Sequence, residues 1–152
     1  MEAVARFSIL NFFNRHKVQG LRLYKTEKLC SHTAVTQLFE RGKSAIAFPL
    51  RMVYRLHEPG QAPAQFLITI PKKKIRHAVG RVLLRRRTRE AYRLWRRSLL
   101  HPALQSSGTG VDIAFIYLDN KPTDYATIES RMKQLLTRLA QVAESQQSTP
   151  SS

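Results

Sequence analysis

The chain holds one cysteine, Cys30, in 152 residues. A lone thiol closes no intramolecular disulfide and builds no Cys-rich zinc site, which favours a reducing compartment. Acidic residues are scarce as well, at ten Asp plus Glu. No paired carboxylates, Cys-His or Ser-His arrangement, or Gly-rich phosphate loop stands out to carry acid-base or nucleophilic chemistry. The five His, at positions 16, 32, 57, 77 and 101, are too widely spaced for a short metal-ligand motif. No run reaches about 18 apolar residues, so no spanning helix is expected. Six Gly and seven Pro are too few for a collagen-like or low-complexity chain.

What the chain does have is charge of one sign. Lys plus Arg number 26, for a formal net charge of +16. A polyanionic partner is the usual reason to tolerate such self-repulsion, nucleic acid first and an acidic membrane surface second. With 43% hydrophobic residues, one packed domain is expected rather than disorder.

No internal repeat is found. The stretch 1–20 reads as an N-terminal extension; its apolar part, Ala5 to Phe13, is broken by Arg6, Ser8 and Asn11 and does not resemble a signal peptide. Residues 144–152 are polar and low in complexity, as in a disordered tail. The domain is therefore expected over 21–143. A soluble, cytoplasmic protein follows as the expectation.

Within the domain, Ser31 is placed to cap a short helix carrying Val35, Leu38 and Phe39 on one face, with Gly42 where it would end. Ser44 to Phe48 is brief and apolar. Leu50 to Leu56 alternates with period 2, and Gln65 to Ile70 is expected as its hairpin partner across the turn-rich segment 57–64. A long helix is predicted from about Ile75 to Leu100, stopped at His101-Pro102, with a loop over Gln105 to Gly110. Val111 to Leu118 reads as a strand. A final helix begins near Thr123 or Asp124 and carries Ile128, Met132, Leu135, Leu136 and Leu139 at helical spacing. The order αβββαβα is that of an α+β sandwich, helices packed on one small sheet.

The charge is concentrated. Lys72 to Arg97 holds twelve cations against Glu90 alone, so twelve less one leaves +11 of the +16. At about 100° per residue, Arg81, Arg85, Arg89, Arg93 and Arg97, with Arg86 and Arg96, fall on one half of the helix. Leu84, Ala91, Trp95 and Leu99 fall on the other. Like charges four residues apart repel, where an ordinary solvated face alternates sign. Guanidinium forks also bind phosphate oxygens bidentately. Val82 interrupts the basic half and Leu83 borders the apolar half.

These residues resemble a known family. Lys72 to Arg93 (KKKIRHAVGRVLLRRRTREAYR) is similar to the signature helix of the bacterial ribonuclease P protein subunit. Glu27 to Ser31, Leu38-Phe39, Gly42, Ser44 and Pro49 to Tyr54 are similar in order and spacing. Ala78, Val79, Arg81, Arg86, Arg89 and Glu90 match the family pattern, and Arg85 stands for its Lys. Val82 and Leu83 replace its Asn and second Arg.

The resemblance implies a single α+β domain with a small mixed sheet and the Arg-rich helix in a βαβ crossover, like the second domain of ribosomal protein S5. It implies a subunit bound to the catalytic RNA of ribonuclease P, which removes the 5′ leader of precursor tRNA. The RNA and its Mg²⁺ would perform the hydrolysis, with no catalytic or metal-binding residue in the protein. Lys72, Lys73, Lys74, Arg76, Arg81, Arg85, Arg86, Arg89 and Arg93 would contact RNA. Val35, Phe39, Arg51 and Tyr54 would line a cleft for the single-stranded leader, where stacking tolerates any sequence. The rival readings are a ribosomal-type RNA-binding protein, a major-groove DNA binder and a protein-only nuclease. The last two fit poorly, since the chain offers neither a tight helix pair nor an acidic cluster.

Overall fold

The computed structural model describes residues 21–60 and 62–146. A 3-10 turn at Lys25–Glu27 leads into α1 (His32–Arg41) and three strands, β1 (Lys43–Ala47), β2 (Leu50–His57) and β3 (Ala64–Thr69). Helix α2 (Ala78–Leu99) and the short α3 (His101–Ser107) follow, then β4 (Gly110–Tyr117) and α4 (Tyr125–Ser145). The expected extension over 1–20 lies outside the described residues.

The four strands form one sheet in the order β1-β2-β4-β3. β1 pairs antiparallel with β2, and β2 antiparallel with β4. β3 pairs parallel with β4. The expected hairpin between β2 and β3 therefore does not form, because β4 lies between them. Burial explains this: every residue of β4 but Ile116 is buried, while β3 is buried only in part. The most apolar strand takes the centre, and β3 reaches it through a helical crossover.

Two cores result. Leu50, Met52 and Tyr54 of β2 face Ile113, Phe115 and Tyr117 of β4 on the side covered by α2 and α4. Leu84, Ala91 and Tyr92 come from α2, and Ile128, Met132, Leu135, Leu136 and Leu139 from α4. On the other side, α1 presses Leu38 onto Val53 and Ala114, with Leu29 beside it. Ser31 caps α1 by accepting from the Ala34 amide. Gly42 ends it at a close approach: a Cβ there would stand 2.3 Å from the Leu38 carbonyl oxygen and 2.9 Å from Val53 Cγ1.

Three boundaries differ from expectation. His101-Pro102 begins α3 instead of closing the helical region, since a proline in the first turn sacrifices no intrahelical bond. The expected loop from Gln105 is consequently helical as far as Ser107. Gly108 ends α3 at φ 66°, a left-handed value suited to glycine. Helix α4 runs through Glu144 and Ser145, taking in two residues assigned to the tail; residues 147–152 lie outside the described ones.

Candidate nucleic-acid interface

The basic surface begins before α2. After Pro71 the chain turns, with the Lys74 and Ile75 amides donating to the Pro71 carbonyl at 3.0 and 3.1 Å. Ile75 is buried and anchors the turn, leaving Lys72, Lys73, Lys74 and Arg76 exposed. Arg81 Nη1 donates to the carbonyls of Ile75 and Arg76, at 3.0 and 2.8 Å. That guanidinium holds the lysine-bearing turn against the helix, so it is a positioning group on the inner side of the basic segment. The first turn of α2 has no side-chain cap and no acidic residue, leaving its amide dipoles free to favour an anion.

The stripe of every fourth arginine winds around α2, because four residues overshoot a turn by about 40°. Its members meet different fates. Arg93 pairs with Glu90 through Nε and Nη2 at 3.0 and 2.6 Å. Arg87 Nη1 donates to the Thr123 carbonyl at 2.6 Å, tying α2 to the loop before α4. Arg85 is half-buried, and Arg86 and Arg89 are exposed. None of Lys72, Lys73, Lys74, Arg76, Arg85, Arg86 and Arg89 has a side-chain hydrogen bond or ion pair among the described residues. These seven, with exposed Arg97 at the end of the stripe, are cations of this segment available to an external phosphate.

Arg96 is a correction to the helical-wheel reading, which put it on the basic half. Its side chain is fully buried. Nε donates to Glu27 Oε1 at 2.7 Å and Nη2 to Glu27 Oε2 at 3.3 Å. Nη1 donates to the carbonyls of Leu21 and Arg93, and Nη2 to that of Arg22. All five N–H donors are thus used. Glu27 Oε2 also accepts from the Tyr24 amide at 2.9 Å. The segment from Leu21 to Glu27 is fastened to α2, and Leu29 to β3 through its amide and the Phe66 carbonyl, 2.9 Å. One signal was available: Leu84, Thr88, Tyr92 and Arg96 recur every four residues as a buried ridge.

The proposed cleft residues divide. Phe39 is 48% exposed on α1, and Arg51 is exposed on the sheet face that α1 covers in part. Val35 packs partly buried on the small core. Tyr54 does not join them. Register pairs it with Ile113, and it packs in the larger core beneath the sheet with Leu50 and Met52. The open face instead carries Ile46, Arg51, Ile116 and Thr69 as one cross-strand row, with Ile46 largely exposed. Arg55 Nη1 donates to Gln37 Oε1 at 2.8 Å and fixes α1 over the sheet.

Next to the buried pair, burial pushes His101 down from its ordinary 6.5 to about 4, and the charge of Arg96 acts the same way. Its Nε2 is buried without a hydrogen-bond partner. Among the described residues no three His, Cys, Asp or Glu are grouped to hold a metal ion. No described helix is long and apolar enough to cross a membrane.

Comparison with known proteins adds sequence and fold relationships. The family profile described as Ribonuclease P matches residues 23–140. The ribonuclease P protein component of Porphyromonas gingivalis is 37% identical over 119 residues, spanning 78% of this chain and 86% of that protein. The fold matches the RNase P protein from Thermotoga maritima with a TM-score of 0.58 at 22% identity, over 74% of this chain and 96% of that one. It also matches the Staphylococcus aureus RNase P protein, with a TM-score of 0.57 at 16% identity, over 74% and 94%.

Proposed function

The chain belongs to the ribonuclease P protein family, and from that premise we propose how it serves the enzyme: it docks on the ribonuclease P RNA through α2 and guides the precursor-tRNA 5′ leader along its open sheet face. Membership makes it the protein component of an endoribonuclease, the partner of that enzyme's RNA. One observation carries the docking surface. Seven cations without partners among the described residues line the turn at Lys72 to Arg76 and the outer side of α2, next to an uncapped helix start. Phosphates would neutralise them with release of counterions.

The leader would lie between Phe39 and the row of Ile46, Arg51 and Thr69, where an exposed aromatic ring can stack on any base and Arg51 can meet the backbone. Hydrolysis falls to the RNA with its Mg²⁺. Mg²⁺ keeps several waters and takes phosphate oxygens readily, so RNA phosphates are the ligands expected to hold it. The working compartment is the cytoplasm.

Reconstitution with the ribonuclease P RNA of Porphyromonas gingivalis at limiting Mg²⁺ tests this reading. Adding the protein should restore cleavage of precursor tRNA at the mature 5′ end, and protein alone should cut nothing. Cleavage without RNA would overturn the division of labour. Failure to restore cleavage, with equal affinity for an unrelated structured RNA, would overturn the function.

A further inference from the structure

Val79, Val82 and Leu83 stand outward on the first turns of α2, exposed by 81%, 49% and 40%. Their spacing of i, i+3 and i+4 puts them side by side on one surface. Single exposed aliphatic residues are commonplace, but three together on the most cationic helix of the molecule are not. Helix propensity does not account for them, because β-branched valine is a poorer helix former than alanine or lysine. The chain departs from its family's pattern at two of the three, Val82 and Leu83.

The surroundings constrain what covers this patch. Lys72, Lys73, Lys74 and Arg76 lie before it in the chain, and Arg86 and Arg89 on the next turns, none with a partner among the described residues. The nearest cation in sequence, Arg81, donates through Nη1 to the Ile75 and Arg76 carbonyls, which draws its guanidinium toward the preceding turn. A second copy would bring the same cations against these, each chain carrying +16. A strand of RNA supplies both complements at once, phosphates for the rim and flat apolar base faces for the centre. In a duplex those faces are stacked away, so the bases concerned must be unpaired.

We propose that Val79, Val82 and Leu83 form a docking patch for unpaired nucleobases of the partner RNA, with the surrounding cations holding the phosphates of the same strand. This rests on the functional reading above and assigns the patch a contact that phosphate neutralisation cannot supply. Contact with a base face is apolar and releases no counterions, which sets it apart from an arginine contact.

The experiment compares wild type, the double variant Val82→Ala with Leu83→Ala, and Arg86→Ala. Each is titrated with Porphyromonas gingivalis ribonuclease P RNA across a range of salt, with base-directed chemical probing of the bound RNA. The apolar variant should bind about tenfold more weakly at every salt concentration with an unchanged log–log slope, whereas Arg86→Ala should lower the slope by about one unit. Wild type should protect unpaired bases that the apolar variant leaves reactive. Unchanged affinity, or a changed slope in the apolar variant, would overturn the patch as a base contact. A free wild-type dimer that the apolar substitutions dissolve would make it a self-contact instead. If wild type prefers ribonuclease P RNA no more than an unrelated RNA, the functional reading fails and not the patch alone. Because both side chains point outward, an unchanged thermal midpoint should show that the double variant folds.

Discussion

Arg86 and Arg96 lie ten residues apart on one helix and serve opposite ends. Arg86 is exposed and has no partner in the described protein. Arg96 is buried, with every N–H satisfied by Glu27 and three backbone carbonyls. One cation is held ready for a ligand and the other is consumed as mortar. Formal charge therefore overstates the contact surface: Arg81, Arg87, Arg93 and Arg96 all spend their guanidinium groups inside the chain. Regions of equal sequence charge differ in what they can bind because desolvation and carbonyl acceptors differ.

The largest effect should come from the buried member. Arg96→Ala strands the Glu27 carboxylate and should cost about 3–5 kcal/mol, read as a shift in the denaturation midpoint. A loss near zero would mean the pair is not the clamp its geometry describes. Next, Tyr54→Ala should destabilise by about 3 kcal/mol as a core truncation. Phe39→Ala should leave stability nearly unchanged while weakening leader affinity by about 1–3 kcal/mol, the worth of one stacked base. Comparing affinities for precursor tRNA with and without its leader separates the two, and reversed results would exchange their roles. Arg86→Ala with Arg89→Ala should lower the salt slope of RNA binding by about two units with stability held within about 0.5 kcal/mol. Arg81→Ala should instead loosen the lysine turn, with its effect on slope smaller than that of either exposed arginine.

A further effect concerns pH. His101 titrates lower in the folded protein than in the unfolded chain, so the fold favours its neutral form. The unfolded chain then binds more protons, and stability is full above 6.5 and lost as pH falls toward about 4. His101→Gln should flatten that acid limb in denaturant melts. An identical limb would place the titration elsewhere.

Much of this was readable in advance where the cause is local. Ser31, Gly42 and the period of α4 act within a few residues, and the α+β order follows from them. The misplaced hairpin had a non-local cause: β2 and β3 read as neighbours until β4, more apolar than either, is set between them. The alternation of β2 groups Tyr54 with Leu50 and Met52 on its apolar side, where the structure buries it, and not in the cleft that the family resemblance implies. Arg96 was misplaced because its partner, Glu27, lies far off in sequence and only the fold joins them. The available cations could be read as basic but not as available, since availability depends on which carbonyls lie within reach.

The position of β4 has a consequence for how the chain comes into being. Both of its neighbours are synthesised before α2, and β4 only after α3. Until it emerges, β3 has no strand to pair with and β2 has an open edge. The sheet can close only across the full length of the Arg-rich helix, a long-range step of the kind that slows folding. A nascent chain thus presents its basic helix before the sheet that supports it is complete.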